Sequence, residues 1–305
     1  MSKKVSIGFI GVGVMGHPIG KHLMAHGYDL LVFDVSDVAV NAMVNEGAKA
    51  AQSTLDVANQ VDIIFTSLPT PAVFTEVMVG KSGIVAGQKA KTVVDLSTVG
   101  SRAMKHAAAG LLAKGIDLVD APVSGGPAGA RAGTLSIMVA GKTQSVEKVQ
   151  ALLECFGKLF IVGADPGQAQ LLKLLNNMLS STAFAITSEA FVAGVKGGLD
   201  PQIMMNAINA GSGRSSASQD KFMKQVLPGT FDFGFPVGSV CKDIGLAVEE
   251  CEALGVPMWI GNTVRQVWNH AGKHDGMKRD MTELVKSIES WSQLAVPLIS
   301  SSLHR

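Results

Sequence analysis

Short runs of β-branched and aliphatic residues alternate with helical spacings through the first half of the chain, and then the alternation stops. Extended runs fall at 5–10, 29–33, 61–65, 92–94, 116–119, 135–140 and 159–162. Between most of them apolar residues recur three and four positions apart, which predicts βαβ units around a parallel sheet. Crossovers of this kind are right-handed and gather their loops at the carboxyl ends of the strands, the edge where open α/β sheets bind ligands.

Past Gly163 the pattern changes. Over 167–196 Leu171, Leu172, Leu174, Leu175, Met178 and Leu179 point in several directions, so one long helix is expected, buried nearly all round. Gly194, Gly197, Gly198 and Pro201 mark its end. The segments 203–208, 240–254 and 263–268 keep helical periodicity, and a second, all-helical domain is predicted. One small domain cannot cover such a helix, which points to a homodimer or homotetramer.

Composition narrows this picture. At 305 residues the chain has room for about two domains. Hydrophobic residues at 47%, charged residues at 17% and aromatics at only 5% suit helices packed closely on a buried sheet. A formal charge of +1 offers no footprint for nucleic acid or an anionic membrane, so neither partner is expected. No 18 apolar residues run uninterrupted, and no membrane span is expected. Cys155, Cys241 and Cys251 have neither disulfide-framework nor zinc-site spacing, which points to a reducing compartment, the cytoplasm. Lys3 and Lys4 before an apolar run resemble a secretory leader, but that run carries a glycine motif and no cleavage site closes it.

That motif is Gly11-Val12-Gly13-Val14-Met15-Gly16, directly after the first extended run and opening a helical pattern at Ile19, Leu23 and Met24. The first glycine turns the chain, the second admits a pyrophosphate to the backbone, and the third lets helix and strand pack. Phosphate then sits on unpaired N–H groups at a helix start, among Gly13, Val14, Met15 and Gly16. Asp34, ending the second run, suits the ribose hydroxyls and repels a 2′-phosphate, so NAD is expected over NADP.

Three further segments carry candidate chemistry. In Asp120-Ala121-Pro122-Val123-Ser124-Gly125-Gly126 the paired glycines can turn N–H groups inward as a carboxylate nest, with the Ser124 hydroxyl as another donor; a surface turn is the plainer alternative. Asp95-Leu96-Ser97-Thr98 brings hydroxyls to the same edge, or caps a helix. Lys173 lies in the apolar helix with Asn177 four residues on and Asn176 nearby, so Lys173 and Asn177 share a face. Desolvation would lower the lysine pKa and suit it to proton transfer, whereas a lysine snorkelling at a helix end needs no chemistry. His270 and His274 have metal-pair spacing but no intervening glutamate, and no metal site is expected. Arg214 suits either a carboxylate or a capping loop.

Together these segments resemble the β-hydroxyacid dehydrogenase family, which includes 3-hydroxyisobutyrate dehydrogenases and tartronate semialdehyde reductases, over essentially the whole chain. The matching stretches, in order, are 8–16, 120–126 continuing to 133–135, 167–177, and Lys242-Asp243. The resemblance implies a Rossmann-type doubly wound domain at 1–164, an interdomain helix at 165–196 and an all-α domain at 197–305. It implies NAD-dependent hydride transfer on a small β-hydroxy acid or its semialdehyde, with Lys173 as general acid/base and Asn177 positioning substrate and lysine. Ser124, Gly125 and Gly126 would hold the substrate carboxylate, with Thr98 beside both substrate and cofactor. Ser67, Leu68 and Pro69 would line the nicotinamide pocket, and Lys242 would lie on its nicotinamide side. The chain departs from the family at Ala169, where a glycine is usual, and at Thr98-Val99-Gly100-Ser101, where the loop usually reaches a proline. Distant 6-phosphogluconate dehydrogenases carry histidine where Asn176 stands and have a much longer C-terminal part, so that substrate is not expected. Rival readings are an inactive dinucleotide-binding sensor or scaffold and an imine reductase.

Overall fold

The structure is a computed structural model and describes residues 6–293. Lys3, Lys4 and Val5, which figure in the leader-like start and the first extended run, lie outside the described residues. The chain divides into two compact units, Met1–Lys173 and Leu174–Arg305, with the division inside the long helix.

In the first unit the elements run β1 Ser6–Ile10, α1 Gly16–Ala25, β2 Asp29–Phe33, α2 Asp37–Asn45, β3 Lys49–Ala50, α3 Thr54–Gln60, β4 Ile63–Thr66 and α4 Pro71–Val79. They continue with β5 Thr92–Asp95, α5 Ser101–Leu112, β6 Asp117–Asp120, β7 Val123–Ser124, α6 Gly126–Ala132, β8 Leu135–Ala140, α7 Thr143–Leu153 and β9 Gly157–Gly163. The sheet order is β3-β2-β1-β4-β5-β6-β8-β7, with β9 on β8. The order reverses about β1, whose neighbours β2 and β4 both run parallel to it. That switch point is where a crevice opens in such sheets. Buried Ile7, Phe9, Val32, Phe65, Val94 and Val119 pack one face, and Ile64, Val93, Leu118 and Phe74 the other.

The sheet is not wholly parallel, as the strand pattern had suggested. β8 runs antiparallel to both β6 and β7. Only the seven-residue α6 joins β7 to β8, and it turns back through Gly133 at φ 69°, too little chain for a parallel crossover. β3 and β7 are two residues each, too short to show an alternating pattern.

The long helix is α8, Gln168–Lys196, and it stops where Gly198 takes φ +88°. It is not buried all round: Leu172, Leu179 (68% exposed) and Ile186 form an open apolar stripe at seven-residue spacing. By length and hydropathy alone α8 could cross a membrane, with 39% of its most apolar window buried. Gln170, Lys173 and Ser188 are among its buried polar residues, which suits a core helix better than one facing lipid.

The second unit continues with α9 Pro201–Ala210, α10 Val237–Ala253, α11 Trp259–His274 and α12 Leu284–Trp291. Asp200 caps α9 by accepting a hydrogen bond from Ile203 N. Between α9 and α10 lies a π-helix, Ala217–Val226, whose wide turn shows in the Leu227 N–H donating to Phe222 O at 2.9 Å. The core gathers round Phe184, Phe191, Phe222 and Trp268, with Phe184 and Phe222 ring centres 5.3 Å apart.

Candidate active site

The glycine turn follows β1 and opens α1, with each glycine serving a different need. Gly11 sits at φ +89°, and a Cβ there would strike the Ser67 carbonyl; one at Gly16 would strike the Gly11 carbonyl. A Cβ at Gly13 would meet nothing within 4 Å. The space over Gly13 is open, which leaves its backbone accessible to the close approach a pyrophosphate requires. No side chain caps the start of α1, and no acidic residue lies in its first turn. Asp34 follows β2, and its carboxylate accepts Val12 N and Ser36 N, each at 2.9 Å. The carboxylate is thus fixed beside the glycine turn, with a second lone pair on each oxygen for ribose hydroxyls.

The loops after β4, β5 and β6 are joined behind this edge. Leu68 N donates to Ser97 Oγ at 2.8 Å, tying the segment with Leu68 and exposed Pro69 to the loop bearing Thr98. Ser97 Oγ and Thr66 Oγ1 both donate to Asp95 Oδ1, at 2.7 and 2.6 Å. Asp95 stands opposite Asp120 in the β5–β6 register. Burial raises the Asp95 carboxyl to about 7, with the charge of Asp120 adding to the rise against the Thr66 and Ser97 hydrogen bonds. Burial likewise raises Asp120 to about 6, against its hydrogen bonds from Gln170 and backbone N–H groups.

Asp120 caps α8. Its Oδ2 accepts Gly167 N at 2.8 Å and Gln170 N at 3.1 Å, a carboxylate placed where the helix dipole favours one. Gln170, fully buried, straps the assembly. Its Nε2 donates to Ser97 O and Asp120 Oδ1, and its Oε1 accepts Val99 N and Gly100 N. The loop bearing Thr98, the end of β6 and the first turn of α8 are thereby held in one register. Lys173, one turn beyond Gln170, is only 7% exposed. After β6, Ser124 lies in β7, and Gly125 and Gly126 take φ +129° and +62°, opening α6 with no side-chain cap.

In the second unit Asn177 Nδ2 donates to Asp243 Oδ2 at 2.6 Å, and Lys242 Nζ lies 2.9 Å from Asp243 Oδ1. Asp243, buried on α10, thus brings Asn177 and Lys242 together. Arg214 is exposed and makes no ion pair among the described residues. His270 and His274 stack at 4.2 Å, and no cluster of metal-ligating residues exists among the described residues. The supporting roles of Asp95, Asp120, Gln170 and Asp243 escape sequence reasoning, because each also joins a residue 29 to 66 positions away.

Strand order, glycine turn and acidic strand end make the first unit a dinucleotide-binding domain. Known proteins carry the classification further. Residues 6–163 match a family model described as the NAD binding domain of 6-phosphogluconate dehydrogenase, and residues 167–288 one described as NAD-binding of NADP-dependent 3-hydroxyisobutyrate dehydrogenase. The chain is 39% identical to the 2-(hydroxymethyl)glutarate dehydrogenase of Eubacterium barkeri, over 97% of this chain and 99% of that protein. Bovine mitochondrial 3-hydroxyisobutyrate dehydrogenase is 33% identical, with 93% and 87% of the two chains covered. A solved structure of Mycobacterium tuberculosis 3-hydroxyisobutyrate dehydrogenase with L-serine aligns with TM-score 0.85 at 27% identity, covering 94% of this chain and 99% of that one. The chain belongs to the β-hydroxyacid dehydrogenase family, and is an oxidoreductase of hydroxy acids with an NAD(P)-binding domain.

Proposed function

We propose that the chain reversibly oxidises a short β-hydroxy acid with NAD, using Lys173 as general acid/base and Asn177 to position it. The observation that carries this reading is Lys173 itself: a lysine 7% exposed, one turn after a helix start clamped to the ends of β5 and β6. An amine so placed can, in its neutral form, take a proton from a hydroxyl.

The nicotinamide ring, when bound, takes up or supplies the hydride. Gly11, Gly13, Val14, Met15 and Gly16 would hold the pyrophosphate, Asp34 the ribose, and Leu68, Pro69, Thr98 and Lys242 would flank the nicotinamide. Ser124 with the N–H groups of Gly125 and Gly126 grips the substrate carboxylate, and Thr98 borders the substrate. Gripping one end leaves the carbinol to turn its O–H to Lys173, whose Nζ receives the proton in oxidation and returns it in reduction. Orientation of this kind supplies much of the rate. Asn177, anchored by Asp243, accepts Asn176 Nδ2 at 3.3 Å on its amide oxygen, whose second lone pair serves the lysine or the substrate hydroxyl.

The preference for NAD rests on Asp34 and on Val35, Ser36, Asp37 and Val38 after it, which offer no cation to a 2′-phosphate. The substrate head follows from the relatives' names. 3-Hydroxyisobutyrate and 2-(hydroxymethyl)glutarate share one hydroxymethyl group beside one carboxylate, and differ only in a methyl against a carboxyethyl arm. The exposed stripe of Leu172, Leu179 and Ile186 is the surface a second copy would cover in a homodimer or homotetramer. Nicotinamide absorbance during turnover of these two acids, L-serine and glycerate, each with NAD and with NADP, tests the reading. Turnover with a higher kcat/KM for NAD is expected; turnover of none of them, or a preference for NADP, contradicts it.

A further inference from the structure

The buried lysine discussed so far is not the only one. Lys221 is 5% exposed, in the middle of the π-helix Ala217–Val226. Its Nζ donates to Ser180 Oγ at 3.1 Å and lies 5.0 Å from the centre of the Phe233 ring. No carboxylate reaches it at ion-pair distance among the described residues. Asp220, beside it in sequence, is exposed and pairs instead with Lys224 at 2.8 Å. Burial pulls the Lys221 ammonium below its usual range, with the Asp220 charge only partly opposing.

A structural lysine is normally paired with an acid or extends its ammonium into water, and Lys221 does neither. An ammonium has three N–H donors, and one hydroxyl takes only one of them. The position of that hydroxyl is informative. Ser180 lies three residues beyond Asn177 and seven beyond Lys173 on α8, so all three fall on one helix face. Seven residues of helix span about 10 Å. A hydroxy acid whose O–H meets Lys173, and which extends a short arm along this face, brings the end of that arm to the ammonium. The π-helical turn bearing Lys221 is itself of a kind that recurs at functional sites.

We propose that Lys221, with Ser180, forms an anion subsite for a second carboxylate, so that the chain acts on hydroxy diacids in preference to hydroxy monoacids. The proposal rests on the substrate orientation given above. A monocarboxylate with a methyl arm leaves the ammonium without a counter-ion, whereas a carboxyethyl arm supplies one.

The matched pair 3-hydroxyisobutyrate and 2-(hydroxymethyl)glutarate separates the two claims. Wild-type protein is expected to show the higher kcat/KM for the diacid. Lys221→Met, of similar length and without charge, should lower the diacid-to-monoacid ratio of kcat/KM by about 10- to 100-fold, the worth of one charge-assisted hydrogen bond. Lys221→Arg should retain part of the preference. Glutarate, which lacks the hydroxyl, should inhibit the wild type at least about tenfold more strongly than butyrate on the same grounds, a readout that needs no variant. Turnover of both acids with an unchanged ratio in Lys221→Met, or equal inhibition by glutarate and butyrate, overturns the subsite and leaves the hydroxy-acid reading standing. Turnover of neither acid by the wild type sinks the underlying reading and the subsite with it.

Discussion

In the first unit the groups assigned to cofactor and substrate, Lys173 on α8 apart, sit on strand-end loops fastened to one another largely through backbone N–H groups, whereas in the second they stand on helices and meet through side chains. Asp34 accepts two backbone N–H groups, Asp120 caps α8, and Gln170 bonds to Ser97 O, Val99 N and Gly100 N. Within the second unit, Asn177 meets Asp243 and Lys221 meets Ser180 by single side-chain contacts. A backbone fastening cannot be altered by one substitution unless the acceptor itself is removed. A side-chain contact can be exchanged at one position, which suits it to setting specificity while the cofactor edge stays fixed.

The sharpest way to break this contrast is to cut one fastening on each side. Gln170→Leu keeps the volume of the side chain and loses all four of its hydrogen bonds, leaving Val99 N and Gly100 N buried without that acceptor. A buried polar group left unsatisfied costs about 1–3 kcal/mol, and a displacement of Lys173 by about 1 Å can cost 10²-fold in rate. Both the thermal midpoint and kcat should therefore fall, kcat by about 10- to 100-fold. Asp243→Asn should lower kcat/KM by about tenfold, the worth of a weakened charge-assisted bond, with a smaller change in thermal midpoint than Gln170→Leu gives. Equal losses of stability in the two variants, measured by thermal unfolding beside steady-state kinetics, would erase the contrast.

A smaller effect is expected from Asp95 and Asp120, the buried acids that face each other in the first unit. Asp95 has a pKa of about 7 in the fold against an ordinary 3.8. Between those values the folded chain holds more protons than the unfolded one, so the stability that a neutral Asp95 contributes is lost as pH rises through that window. Asp120, at about 6, acts in the same direction. The thermal midpoint should be higher at pH 6 than at pH 8, and Asp95→Asn, which cannot ionise, should narrow the difference. A midpoint that rises from pH 6 to pH 8 in the wild type and the variant alike would contradict this ionisation.

What could be read from sequence follows the same division between local and distant causes. The glycine turn, Asp34, and the shared face of Lys173 and Asn177 each depend on residues a few positions apart or on one strand end, and periodicity exposes them. Gln170 meets Asp120 50 residues away and Ser97 73 residues away, separations at which spacing carries no signal. The reversal of β8 was hidden because Leu135–Ala140 is apolar in the manner of a buried strand whichever way it runs. The helix at Gln168–Lys196 was legible, but not its open stripe. Leu172, Leu179 and Ile186 have the apolar character of core positions, and only the fold shows them exposed. Lys221 gives no signal in the sequence, because one lysine in a polar stretch looks solvated until Phe233 is placed beside it.

The central claim, that a buried amine on α8 carries the proton, is tested most directly by comparing wild type with Lys173→Ala under saturating hydroxy acid, with NAD binding measured separately by titration. The account expects kcat to drop by about 10²- to 10⁴-fold while the affinity for NAD is kept. Undiminished turnover in Lys173→Ala would contradict it.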